Sequence, residues 1–108
     1  MTQEAFNKIV EETVKRSTDL LVVKQAEYNL TADRFDSFKQ GAGITGWQPD
    51  QVLLGYLTKH LASIISMINS DKQFSKEKVD EKIGDAINYF ILLRGLWEDI
   101  GKVKENGN

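Results

Sequence analysis

The sequence predicts an all-α chain, a compact four-helix arrangement of three long helices and one short one that pairs into a dimer. Three observations lead there. Apolar residues recur at three- and four-residue steps over most of the 108 residues. The single proline and most of the eight glycines fall at the ends of those periodic stretches. Thr2, Pro49 and Ser75 stand where helices would begin, as capping residues or as a first-turn proline.

The first helix is expected from about Thr2 to Glu27, with Thr2 as N-cap and Glu4 in the first turn. Its apolar stripe is Phe6, Ile9, Val10, Val14, Leu20, Leu21 and Val23. The run Leu20 to Val23 would also suit a strand, but the polar segments on both sides favour a continued helix. After a turn at 29–31, Thr31 caps a short helix that carries Asp33, Phe35 and Phe38, and Gly41, Gly43 and Gly46 break it. The third helix enters at Pro49 and runs to about Ile68 on Val52, Leu53, Leu57, Leu61, Ile64, Ile65 and Ile68. Asn69, Ser70 and Asp71 end it. Ser75 caps the last helix, whose apolar surface (Val79, Ile83, Ile87, Phe90, Ile91, Leu93, Leu96, Trp97, Ile100) is too wide for one small partner. That helix is expected at the centre of the bundle or at an interface between two copies. Residues 102–108 read as a frayed tail, and residues 1–108 as one domain.

Composition narrows the function classes. The net charge is −2, with acids and bases interleaved, so no basic stripe tracks a duplex phosphate backbone. The chain has no cysteine, which excludes a disulfide scaffold, a thiolate metal site and a cysteine nucleophile. The N-terminus lacks the basic and apolar regions of a secretory signal. No apolar run approaches the ~18 residues of a membrane span. The expected setting is the cytoplasm, with no membrane partner.

Several residue groups point to chemistry. Glu81, Asp85 and Asn88 fall on one stripe of the last helix. Carboxylates one turn apart can share Mg²⁺, a hard cation that keeps several waters and coordinates phosphate. The same spacing also describes a solvated face paired with Lys78 and Lys82. On the third helix Lys59 and Ser63 share a face suited to a phosphate. His60 reads as a structural, hydrogen-bonded histidine rather than a general base. Asp33 and Arg34 stand beside Phe35, where the arginine has the chemistry to clamp a phosphate or stack on a base. Tyr28, Trp47 and Tyr89 are further stacking candidates, and each also reads as a packing residue. No phosphate-binding glycine loop of recognised spacing is present.

In order, the chain carries Lys24-Gln-Ala-Glu-Tyr28, Asp33-Arg34-Phe35 with Phe38, Thr45-Gly46 and Pro49-Asp-Gln-Val-Leu53. Then follow Tyr56-Leu-Thr-Lys59-His60-Leu-Ala-Ser63 and Glu81-Lys-Ile-Gly-Asp85-Ala-Ile-Asn88-Tyr89. Over residues 24–98 this series resembles small phage and prophage proteins related to the nucleotide-modification-associated domain 1 family. It is more distantly similar to the MazG-like all-α nucleoside triphosphate pyrophosphohydrolases. The resemblance implies a helical protein that handles nucleotides, in a host cytoplasm if phage-encoded. In the MazG-like enzymes two acidic pairs hold Mg²⁺. Glu81 and Asp85 stand for one pair at a spacing one residue too long. Glu11 and Glu12 are followed by Lys15 where that family's second motif has a glutamate.

Three function classes follow. The first is a nucleotide-binding protein, of the kind that would sequester a nucleotide-derived host immune signal. In it Lys24, Arg34 and Lys59 hold phosphate, Tyr28, Trp47 or Tyr89 stack a base, and Asp33, Ser63 and Asn88 supply polar contacts. The second is a Mg²⁺-dependent pyrophosphohydrolase with Glu81 and Asp85 on the metal. The third is a protein-interaction module that uses the apolar face of the last helix. A homodimer or a higher homo-oligomer is expected in each.

Overall fold

The computed structural model describes residues 1–24 and 33–105. Four helices pack together, and no strand occurs among the described residues. Helix α1 spans Gln3–Thr18 and continues into a π-helical turn, Asp19–Val23. Helix α2 spans Asp36–Thr45, α3 Pro49–Ile68 and α4 Lys76–Asp99. The expected cap at Thr31 and the end of the first helix at Glu27 lie outside the described residues, as do 106–108 of the tail.

The helix starts follow the expected chemistry. Thr2 Oγ1 accepts from Ala5 N–H at 3.1 Å, and Ser75 Oγ from Lys78 N–H at 3.1 Å. Pro49 occupies the first turn of α3, where its missing N–H costs nothing, and Gln51 Oε1 accepts from Gln48 N–H at 2.8 Å. At the far end of α4, Lys102 N–H bonds Trp97 C=O at 2.8 Å and Gly101 N–H bonds Glu98 C=O. This Schellman pair satisfies two of the helix's last carbonyls.

Four expectations need correction. The Leu20–Val23 run stays helical but widens to the π form, with Lys24 N–H reaching back five residues to Asp19 C=O. Just upstream, the Thr18 hydroxyl donates to Val14 C=O at 3.0 Å, competing for an acceptor the α ladder would use. Second, the short helix begins only at Asp36. Asp33 and Phe35 form the turn before it, with Asp33 Oδ1 accepting from Phe35 N–H at 2.9 Å. Third, α2 runs through Gly41 and Gly43 and stops only at Gly46, whose φ of 78° ends it. Gly41 faces Val52 so closely that a Cβ there would crowd the valine side chain. Fourth, α3 is long and apolar enough to cross a membrane by length and composition, at a mean hydropathy of 1.2. Of its residues only Leu53 and Leu57 are buried.

Helices α3 and α4 form the antiparallel centre, with Asp50 beside Trp97 and Lys102, Tyr56 beside Tyr89, and His60 beside Asp85. Phe38, Leu53, Leu57 and Leu96 make the core, with Phe35, Leu92 and Leu93 packed on it. Helix α1 runs along α4 in the same sense: Glu12 lies beside Lys76 and Arg16 beside Gly84 and Asp85. Because α4 begins only at Lys76, the first turns of α1 extend past it. Phe6, Ile9, Val10 and Val14 are all exposed. At the end of α3, Ile65 and Ile68 are exposed as well.

Candidate functional site

The stripe Glu81, Asp85, Asn88 turns inward along α4: Glu81 is exposed, Asp85 half-buried and Asn88 buried. Around Asp85 three helices contribute polar groups. From α1, Arg16 Nη2 lies 3.6 Å from Asp85 Oδ1, and from α3, His60 Nδ1 lies 3.9 Å from Oδ2. The Arg16 guanidinium reaches this place because position 84 has no side chain. A Cβ on Gly84 would overlap it. One turn from Asp85, Tyr89 lies 5.0 Å from the His60 ring, tilted at 33°. It is also nearly parallel to Tyr56 at 6.4 Å. Tyr56 in turn meets Phe38 edge-on at 6.0 Å. A row of rings therefore leads from the core to the Asp85 carboxylate.

Two features mark this centre as chemically unfinished. Arg16 Nη1, Ser17 Oγ and Asn88 Oδ1 are buried without a hydrogen-bond partner among the described residues. Buried polar groups are normally satisfied, because each one left unpaired costs about 1–3 kcal/mol. All three sit on the facing helices α1 and α4. Arg16 also lines a cleft of 430 Å³ with Glu12, Lys76, Asp80 and Gly84, while its unpaired Nη1 is buried against Gly84. In that cleft Lys76 is held by Asp80 at 2.7 Å and Glu12 at 3.5 Å, and both raise its pKa. Tyr89's phenol pKa is raised by burial first, then by Tyr56 and Asp85. As for a metal, no group of three His, Asp or Glu side chains is gathered for one among the described residues. Both Asp85 oxygens face nitrogen groups.

The sequence-derived candidates separate in space. Asn88, Tyr89 and Asp85 come together. Lys24 is exposed at the end of the π turn, and Tyr28 lies outside the described residues. Asp33 is engaged by Lys39, which also reaches Asp99 at 2.7 Å, and Arg34 is exposed in the same turn. Trp47 is 56% exposed in the α2–α3 loop. Lys59 points to solvent beside His60, and Ser63 lines a separate cleft with Lys72, Lys78 and Lys82. Arg16, Ser17, Tyr56 and Gly84 join the centre without having been candidates, and His60 joins it although its reading was structural. Two signals for them exist in the sequence. A glycine inside the last helix, next to an aspartate, marks a close approach. Tyr56 and His60 share a helix face at i, i+4.

Comparisons with protein-family models, with curated proteins and with solved structures find no match for this sequence.

Proposed function

We propose that the chain is a binding protein for a small anionic ligand with a planar polar ring, a nucleotide in the simplest case, and that the Arg16–Asp85–Tyr89 centre receives it. The observation that carries this reading is the Arg16 guanidinium. It is threaded over Gly84 to a half-buried carboxylate and lines a cleft, and its buried Nη1 has no partner among the described residues. A guanidinium suits phosphate because its planar fork matches two oxygens at once. A ligand reaching past Arg16, beyond the lining of that cleft, would meet the Tyr56, His60 and Tyr89 rings and the polar atoms of Asp85 and Asn88. The resemblance in residues 24–98 points the same way and adds the anti-defence setting, in which binding would sequester a host signal.

A Mg²⁺-dependent hydrolase needs more acid than this centre gathers, since only Asp85 faces it and Glu81 is exposed. Thermal unfolding against nucleoside triphosphates, cyclic nucleotides and ADP-ribose, each with and without Mg²⁺, tests the proposal. A ligand at 100 times its Kd adds about 2.7 kcal/mol, which in a domain this size raises Tm by roughly 10 °C. The expected result is a Mg²⁺-independent shift with the ligand recovered intact, lost in Arg16→Ala and kept in Arg34→Ala. A shift that Arg16→Ala leaves in place would contradict the assignment. Mg²⁺-dependent loss of ligand, abolished in Asp85→Ala, would favour hydrolysis.

A further inference from the structure

We infer that a second copy of this chain packs on the α1/α4 face, forming a two-fold dimer that closes the apolar groove lined by Val14, Ser17, Leu21, Val22, Ile87 and Ile91. The first argument is area. The chain exposes 8384 Å². A folded monomer of 12.3 kDa exposes roughly 6,100 Å² by the usual scaling with mass. The excess of roughly 2,300 Å² matches what one subunit of an obligate dimer buries, about 1,000–2,500 Å². The radius of gyration agrees: it is 16.4 Å, against about 13 Å for a compact chain of this length.

The position of the surplus surface follows from the packing. Helix α1 meets α4 through Glu12 and Arg16, so its first turns lie beyond the start of α4, and Phe6 and Val10 are 50% and 45% exposed. On α4, Phe90 and Ile91 are 52% and 48% exposed beside the groove. The groove itself encloses 320 Å³, and its walls are apolar apart from Thr13, Ser17 and Thr18. A copy related by a two-fold axis offers the same overhanging stripe and the same groove, so each α1 gains what the other lacks. The dimer rests on exposed apolar area and the overhanging α1 stripe, not on the polar Arg16 cleft, which adjoins the groove at Thr13. The inference therefore stands whether or not the ligand reading does.

Sedimentation velocity and light scattering on the full chain test it. The expected mass is twice 12.3 kDa. Val14→Glu and Ile91→Glu should each shift the mass to that of one chain, while Ile68→Glu, 73% exposed at the end of α3, should leave the dimer unchanged. Circular dichroism checks that the variants stay helical. Because the chain has no cysteine, a spin label on Lys8→Cys, an exposed polar site on α1, gives a readout free of any interface mutation. The expected result is a defined distance between two labels. A wild-type mass of one chain with no such distance would overturn the inference. So would an oligomer that survives Val14→Glu and Ile91→Glu but dissociates with Ile68→Glu.

Discussion

Gly84 sets the position of Arg16, and the two residues give opposing contributions to stability. Alanine at a helix interior is favoured over glycine by about 1 kcal/mol. Here the added methyl would expel the guanidinium from Asp85 and forfeit a half-exposed ion pair worth at most about 1 kcal/mol. Gly84→Ala is therefore expected to change the urea-unfolding free energy by less than about 1 kcal/mol. A loss of several kcal/mol would mean that Gly84 serves packing rather than Arg16. A second residue-scale prediction concerns Asp50, whose side chain is 10% exposed. Lys102 lowers its pKa most and the Trp97 indole N–H, at 3.0 Å, lowers it further, against burial. A carboxyl held below its unfolded value stabilises the fold above that value and loses the contribution as pH falls through the folded one. Asp50→Ala should thus cost about 2 kcal/mol at pH 7, and the gap from wild type should close as the pH falls below about 4. Urea titrations across pH 2–7 measure it, and a pH-independent gap would contradict the account.

At the scale of elements, the helices were legible wherever local chemistry decides them. Thr2, Pro49 and Ser75 fixed three starts, and the 3.6-residue periodicity fixed the two long central helices. What the sequence hid depends on tertiary contact. Gly41 reads as a breaker until Val52 is seen against it. The widening to a π turn after Thr18 has no marker in the apolar spacing, which continues through Leu20 and Leu21. The candidate site was legible only on α4, where Asp85, Asn88 and Tyr89 share a stripe. Its other members come from α1 and α3, and no spacing rule joins side chains on separate helices such as Arg16 and Asp85. Lys59 and Arg34 were plausible by type, but each faces solvent rather than the centre. The α3–α4 pairing carries its own prediction. Leu53 is fully buried against the core, so Leu53→Ala should cost about 3 kcal/mol in urea unfolding. A cost below about 1 kcal/mol would mean that this core relaxes around the cavity.

The whole molecule is too large in surface for its mass. Among the described residues, Phe38, Leu53, Leu57, Ala86 and Leu96 form the buried apolar set, while Phe6, Val10, Phe90 and Ile91 remain open. A dimer on the α1/α4 face resolves that imbalance. Hydrogen exchange should show it: amides of Gln3–Val10 should be protected in wild type and exchange faster in Ile91→Glu. Equal exchange in both would place the contact elsewhere.

The central claim is that a ligand binds where Arg16 crosses Gly84, and paired thermal titrations of wild type and Gly84→Ala test it most directly. With the nucleotide that most stabilises wild type, the account predicts a shift of roughly 10 °C at 100 times Kd for wild type. It predicts no shift for Gly84→Ala, whose unliganded Tm should be nearly unchanged. Equal shifts in both proteins, or no shift in wild type with any nucleotide, would contradict it.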